Sequence, residues 1–323
     1  MKLAKTYAFI KKDLSVIEDA LEKTVHADQP VLHEASIQLL KAGGKRLRPV
    51  FVVLASKFGE YNLDHIKNVA SSLELIHMAS LVHDDVIDDS NMRRGKPTVK
   101  ANWDNQVAML TGDYIFAKAL QQFTDINKPR AHQILAKTMM ELTVGEIEQI
   151  KDKYNLQQNL RTYLRRIKRK TALLISSSCQ LGAIVANTDK HTEKVLFRYG
   201  YYMGMSYQII DDILDFTASE KELGKPAGSD LIQGNITLPV LYALENDYIK
   251  KDLEKAFENK HEVTPERMRP IIEQIANSDA ISQARTVSDL YLRKAYDSLE
   301  LLPANQAKDA LARIANYIGN RKL

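Results

Sequence analysis

Asp84, Asp85 and Asp88 form the pattern Asp-Asp-x-x-Asp, and Asp211, Asp212 and Asp215 repeat it further along the 323-residue chain. On a helix, residues four apart share a face, so Asp84 and Asp88 project together with Asp85 beside them, as do Asp211 and Asp215 with Asp212. Like charges at this spacing repel by roughly 0.2–0.5 kcal/mol per exposed pair, and by more when partly buried. A positive partner is therefore expected at each cluster. Packed carboxylate oxygens are hard ligands, which favours magnesium or calcium over zinc, and no flanking cysteine or paired histidine suggests a softer metal. A single such cluster reads most simply as a solvated acidic helix end. Two copies with one spacing, each behind an apolar helix and ahead of a basic loop, point instead to a duplicated cation site. An EF-hand does not fit, because no glycine stands at the turn position of the segment starting at Asp84. His83-Asp84 also matches the dyad of metal-dependent phosphohydrolases, a two-residue match that leaves the second cluster unexplained.

Magnesium held by few carboxylates shares its coordination with substrate phosphates, and the chain supplies cations to match. Gly43-Gly44-Lys45-Arg46-Leu47-Arg48-Pro49 sets Lys45 and Arg48 beside two glycines. Arg93-Arg94-Gly95 follows the first acidic cluster, and Lys225 in Gly224-Lys225-Pro226 follows the second. Arginine forks grip phosphate oxygens in pairs, and lysine adds a point charge. The run Arg165-Arg166-Ile167-Lys168-Arg169-Lys170 reads for the most part as a solvated helix face, since no interleaved aromatics suggest nucleic acid. Carboxylates, a hard cation, diphosphate-binding cations and long apolar helices together imply a substrate with a charged head and an apolar tail.

The elements that must position these groups read as helices. Leu14, Ile17, Leu21 and Val25 recur at helical spacing, as do Leu135, Met139, Leu142 and Ile147. Ala70 to His83 runs unbroken into Asp84, and Tyr199 to Ile210 runs into Asp211. No alternating strand-and-hairpin pattern suggests a sheet. The 13 glycines and 9 prolines gather between periodic segments, and no low-complexity linker divides the chain. One all-α domain spanning residues 1–323 is expected. Thr171 to Thr188 contains no charged residue but holds Ser176, Ser177, Ser178, Gln180 and Asn187, which predicts a buried helix rather than a membrane span. Net charge is only +4, and Cys179 is the sole cysteine, so an internal disulfide is impossible and a reducing compartment is the default. Met1 to Asp13 lacks the apolar core of a signal peptide, so a cytoplasmic location is expected.

From Gly43-Gly44-Lys45-Arg46-Leu47-Arg48-Pro49, through both Asp-Asp-x-x-Asp motifs, to Gly234-Asn235-Ile236-Thr237-Leu238-Pro239, the chain resembles the trans-type polyprenyl diphosphate synthases. The resemblance implies an all-α fold of antiparallel helices around a central cavity, with the two acidic motifs across its mouth. It implies that Asp84, Asp88 and Asp211 are magnesium ligands, with Asp85, Asp212 and Asp215 in support, and three magnesium ions with substrate bound. Lys45, Arg48, His77 and Arg94 match the site for isopentenyl diphosphate. Arg93, Lys170, Thr171, Gln208 and Lys225 match the contacts to the allylic diphosphate, Lys170 and Lys225 being counted with the catalytic groups. Gln208 follows Tyr207 here, where the family pattern has Phe. The implied reaction is ionisation of the allylic diphosphate, attack by the double bond of isopentenyl diphosphate, and loss of a proton.

In this family an aromatic residue five before the first aspartate caps the cavity of short-chain enzymes. Here that residue is Ala79, followed by Ser80, with Ile76 about one turn deeper. Each unblocked helical turn opens about 5.4 Å, so a long product is implied. Within the family the chain resembles in particular the catalytic subunits of bacterial heptaprenyl synthases. These work with a small second subunit and supply menaquinone side chains. The implied primer is farnesyl diphosphate, with transient membrane contact for product release. The alternatives are a homodimer making octaprenyl or shorter chains, and a non-catalytic helical subunit. The latter would be expected to lack some of the named acids or cations.

Overall fold

The computed structural model describes residues 3–219, 226–259 and 262–321, with side chains from residue 5. Its longer helices are α1 (Lys11–Thr24), α2 (Pro30–Lys41), α3 (Leu47–Ser56), α4 (Leu63–Ile87), α5 (Asn105–Phe123), α6 (Pro129–Asp152) and α7 (Leu160–Ile167). They continue as α8 (Leu173–Val185), α9 (Lys190–Thr217), α10 (Asp247–Phe257), α11 (Pro265–Ala276), α12 (Ala280–Glu300) and α13 (Gln306–Gly319). The fold is all-α, as the periodicity predicts. Local chemistry marks the helix starts: Asn62, Asp104 and Asn159 accept backbone N–H bonds at the heads of α4, α5 and α7, and proline occupies an opening position of α2 and α11.

The chain forms two compact units. One comprises Met1–Lys137, Leu174–Gly200 and Ser298–Ile314, and the other Thr138–Leu173, Tyr201–Asp297 and Ala315–Leu323. In the first, every residue of α3 except Arg48 is buried, so this helix is a core element rather than an amphipathic face. The helix α4 packs most extensively on α5 and also on α3 and α1. The uncharged stretch becomes the buried helix α8, whose Ser178 hydroxyl donates to the Leu174 carbonyl at 2.8 Å. Among the described residues no helix is long and apolar enough to cross a membrane. In the second unit, Tyr163, Ile167, Ala172, Met205, Ile209, Ile210 and Ile213 form one apolar cluster, and Phe216, Leu231, Ile236, Val240 and residues of α10 and α11 form another.

Two details depart from the sequence reading. Ile147, expected on the inner stripe of α6, is exposed; the buried positions are Ala131, Leu135, Thr138, Gly145 and Gln149, a stripe dominated by small and polar residues that lacks an apolar signature. A small antiparallel hairpin also appears, β1 (Met92–Arg93) with β2 (Lys96–Pro97), Arg93 opposite Lys96. Its two turn residues, Arg94 and Gly95, have φ of 54° and 73°. Positive φ at both central residues is what a tight hairpin that follows the strand twist requires, and glycine supplies the second without strain.

Candidate active site

Helix α4 carries most of the predicted site of the first unit. Asp84 and Asp85 lie in its last turn, and Asp88 caps its end with its backbone N–H bonded to the Asp84 carbonyl at 2.8 Å. Asp84 and Asp88 are half-buried, whereas Asp85 is buried. Arg93, on the hairpin, donates to Asp85 Oδ1 from Nε at 2.9 Å and from Nη2 at 2.7 Å. Burial raises the Asp85 carboxyl above its ordinary range even so, with Asp84 and Asp88 adding to the rise. The hairpin thus folds a predicted diphosphate contact back onto the acidic cluster. His83 belongs elsewhere: its Nε2 lies 3.3 Å from Asp113 Oδ1 and its ring stacks on Phe116, both on α5.

Seven residues before Asp84, His77 is partly buried on the same helix. Burial, and then the charges of Arg48, Arg94, Arg93 and Arg46, hold its imidazole well below the ordinary range. A neutral imidazole among arginines retains one N–H donor for an anion and adds no further like charge. The glycine-rich loop joins this cluster, because Arg94 donates to the Gly43 carbonyl. Gly44 has φ of 157°, a conformation that residues bearing a Cβ rarely adopt, so the loop favours glycine here. Lys45 is exposed in the loop, and Arg48 is half-buried in the first turn of α3. Ile76 and Ala79 are fully buried on α4, and the Ser80 hydroxyl donates to the His77 carbonyl at 2.8 Å, which satisfies it within an apolar wall.

In the second unit the whole second motif lies inside α9. Asp211 is exposed and accepts from Arg321 Nη1 at 2.9 Å, and the Arg321 guanidinium lies over the Tyr207 ring. Asp212 is buried and accepts from the Tyr163 hydroxyl at 2.7 Å and from Gln208 Nε2 at 2.8 Å. Gln208 in turn accepts from the Thr171 hydroxyl at 2.6 Å. Burial, then the charge of Asp230, push the Asp212 carboxyl up to about 7. Asp215 is buried and accepts from the Ser229 hydroxyl at 3.0 Å and the Asp230 backbone N–H at 3.1 Å, so it organises the segment after the motif. Lys170 and Thr171 sit in a π-helical turn, Lys168–Ala172, an irregularity common at functional sites. Lys225 lies outside the described residues.

The structure therefore joins Thr171, Gln208 and Asp212 in one network, and groups Arg48, His77, Arg93 and Arg94 in another. The basic run before Thr171 is less solvated than expected. Arg166 is buried against Gln158 and the Ile236 carbonyl, and Arg169 pairs with Glu141 and Glu148, because this turn packs on α6 and on the Ile236 segment. Lys170 pairs with Glu146 at 3.2 Å and donates to Gln149 at 3.1 Å. Sequence reasoning missed Tyr163, Arg321, Glu146 and Gln149; only the Gly-Glu-x-x-Gln spacing of the last two, on one face of α6, offered a signal. Among the described residues no three or more His, Cys, Asp or Glu side chains are gathered into a formed metal cage. The donor set nonetheless fits magnesium, a hard cation that takes one or two carboxylates and completes its shell with water and substrate phosphates.

Residues 29–275 match the family described as Polyprenyl synthetase. The chain is 59% identical over 322 residues to heptaprenyl diphosphate synthase component 2 of Bacillus subtilis, covering 100% of this chain and 92% of that protein. Its structure is similar to the crystal structure of heptaprenyl diphosphate synthase from Staphylococcus aureus, with a TM-score of 0.92 and 42% identity over 97% of this chain and 98% of that one. It is also similar to a polyprenyl synthase from Caulobacter crescentus complexed with calcium and isoprenyl diphosphate, with a TM-score of 0.94 and 31% identity over 100% and 98% of the two chains.

Proposed function

The chain belongs to the polyprenyl synthetase family and is a prenyltransferase, and on that premise we propose that it extends farnesyl diphosphate with isopentenyl diphosphate to a heptaprenyl chain for menaquinone. The observation that carries this reading is helix α4. It holds His77 among four arginines, Asp84, Asp85 and Asp88 at its end, and only Ala79 and Ser80 where a bulky stop would stand. The calcium and isoprenyl diphosphate of the Caulobacter relative support a hard cation and a diphosphate head. The component 2 name of the Bacillus relative supports a working complex with a second subunit.

In this reading Asp84, Asp88 and Asp211 are the magnesium ligands, and Asp85, Asp212 and Asp215 hold the motif backbones and neighbouring cations in place. Magnesium, bound with diphosphate, supplies the charge that stabilises departing pyrophosphate. Lys170, Thr171, Gln208, Arg93 and Lys225 bind the allylic diphosphate, while Lys45, Arg48, His77 and Arg94 bind isopentenyl diphosphate. The first set stabilises charge as it develops on the leaving oxygens of the allylic diphosphate, while the second holds isopentenyl diphosphate, whose own diphosphate stays on the product. The apolar wall at Ile76 and Ala79 excludes water from the allylic cation, and the released pyrophosphate accepts the proton lost after condensation. Burying each five-carbon unit is worth on the order of 4 kcal/mol, so release of a long product is slow and is helped by contact with a membrane surface.

The test is to incubate the purified chain with both diphosphates and magnesium, with and without the proposed second subunit, and to size the dephosphorylated product. A heptaprenyl product that requires both chains is expected. Full activity and full length from this chain alone would remove the partner, and no prenyl transfer in either arm would overturn the assignment.

A further inference from the structure

Arg46 stands between the two loop cations assigned to isopentenyl diphosphate, yet its own side chain turns inward. Its Nε lies 3.3 Å from both Glu18 carboxylate oxygens, and its Nη2 lies 3.0 Å from Glu18 Oε1 and 3.0 Å from the Leu40 carbonyl. Its Nη1 donates to Glu74 Oε1 at 3.1 Å. Every nitrogen of the guanidinium is therefore engaged within the protein, which leaves Arg46 poorly placed to bind substrate.

Its backbone is strained as well. Arg46 has φ 47° and ψ 38°, the left-handed region, at the head of α3. A side chain bearing a Cβ resists this conformation by roughly 1–2 kcal/mol, and no glycine was used although Gly43 and Gly44 stand just before it. Such strain persists only where surrounding contacts hold it. The holder is Glu74, whose side chain is 4% exposed and whose Oε2 is buried with no hydrogen-bond partner. A buried carboxylate oxygen left unmatched costs free energy, so this acid is expensive to keep where it stands. Glu74 lies on α4, three residues before His77 and on the same face, so one helix bears both the anchor of the loop and a ligand-binding imidazole. Glu18 on α1 closes the clamp from the more exposed side.

We propose that Glu74 is a positioning residue for isopentenyl diphosphate. It acts through Arg46 to hold the left-handed bend that sets Lys45 and Arg48 relative to His77, with Glu18 as the outer half of the clamp. The inference rests on the assignment of Lys45, Arg48 and His77 to that substrate. Glu74, Arg46 and Glu18 are positioning rather than catalytic residues, because their side chains are spent on one another.

The test is calorimetric binding of two probes to the full chain in magnesium: isopentenyl diphosphate, and farnesyl thiolodiphosphate as an allylic analogue that does not ionise. Glu74→Ala should weaken isopentenyl diphosphate tenfold or more and leave the allylic analogue within twofold. Glu74→Gln, which keeps an acceptor for Arg46 but not the charge, should recover part of the loss. Glu18→Ala, on the exposed side, should give a smaller loss with the same selectivity. Should Glu74→Ala fail to fold, the Glu74→Gln and Glu18→Ala proteins still decide the matter. Equal weakening of both probes, or no weakening, overturns the positioning role. A wild-type chain that binds neither probe, alone or together with the proposed second subunit, overturns the functional assignment instead.

Discussion

The two aspartate motifs share a spacing but match their buried second aspartate by opposite means. In the first, Asp85 is matched by a cation, the Arg93 fork from the hairpin. In the second, Asp212 is matched by neutral donors, Tyr163 and Gln208, while the cation Arg321 sits on the exposed Asp211. Ionic matching opposes the rise that burial imposes on the Asp85 carboxyl, beside the proposed magnesium ligands Asp84 and Asp88. Neutral matching in a buried setting leaves Asp212 close to its proton, with its carboxyl near 7. One sequence pattern thus carries two electrostatic settings, a buried acid countered by a fixed cation and a buried acid countered by neutral donors.

The largest expected effect tests what the clusters have in common. Asp84→Ala and Asp211→Ala should each lower kcat at least a thousandfold, about 4 kcal/mol of barrier, with the melting temperature nearly unchanged because both side chains are at least partly exposed. Near-normal turnover in either variant would remove that cluster from the chemistry.

The next prediction separates the clusters. Asp212 has a folded pKa of about 7 against 3.8 for an ordinary aspartate, so the folded state holds more protons than the unfolded one between these values. Stability of the chelated protein should therefore fall as pH rises from about 4 to about 7, by on the order of 4 kcal/mol from this group. Denaturant titrations of wild type and Asp212→Asn across that window should show the slope in the first and its loss in the second. Asp85→Asn should flatten the curve less, since Arg93 opposes the rise at that site.

A pair of partner deletions sharpens the contrast further. Arg93→Met leaves Asp85 buried without its cation and should cost about 1–3 kcal/mol, below the roughly 3–5 kcal/mol typical of fully buried pairs because Arg93 is partly exposed. Tyr163→Phe removes one neutral donor from Asp212 and should cost about 1–2 kcal/mol. The diagnostic outcome is the pH dependence: the first loss should shrink as pH falls and Asp85 takes up a proton, and the second should shrink below about pH 7, where Asp212 is protonated and has no charge for the hydroxyl to stabilise.

The spacing of the acids, the glycine-rich loop and the uncharged α8 were all legible in the sequence because each is a local pattern with a physical meaning. What was not legible is how charges are matched. The partners of Asp85, Asp212, Asp211 and Arg46 are Arg93, Tyr163, Arg321 and Glu74, and all but the first are remote in the chain. No period or spacing marks a residue that meets its partner only after folding. The hairpin that delivers Arg93 was missed for a related reason: two-residue strands are too short to alternate, and only Arg94-Gly95 betrays the turn. Ile147 was misplaced because the inner face of α6 is made of small and polar residues.

The smallest effect concerns Arg321. Its pair with Asp211 is half open to water on the aspartate side, which limits its worth to about 1 kcal/mol or less, so Arg321→Ala should barely alter stability. The same guanidinium nevertheless lies on an oxygen that a divalent cation would use, and it is held there by the face of Tyr207. A cation approaching Asp211 must displace it, and that displacement costs whatever the pair is worth. Removing it should therefore tighten manganese binding in the absence of diphosphate by a few-fold, up to about fivefold for 1 kcal/mol. Manganese titrations followed by electron paramagnetic resonance measure this directly. The corresponding loss of a cation beside the first cluster, in Arg93→Met, should show no such tightening at low pH, because Arg93 pairs with Asp85 rather than with Asp84 or Asp88. If Arg321→Ala leaves manganese affinity unchanged, the exposed aspartate of the second motif is not where the first cation lands, and the likeness of the two motifs ends at their spacing.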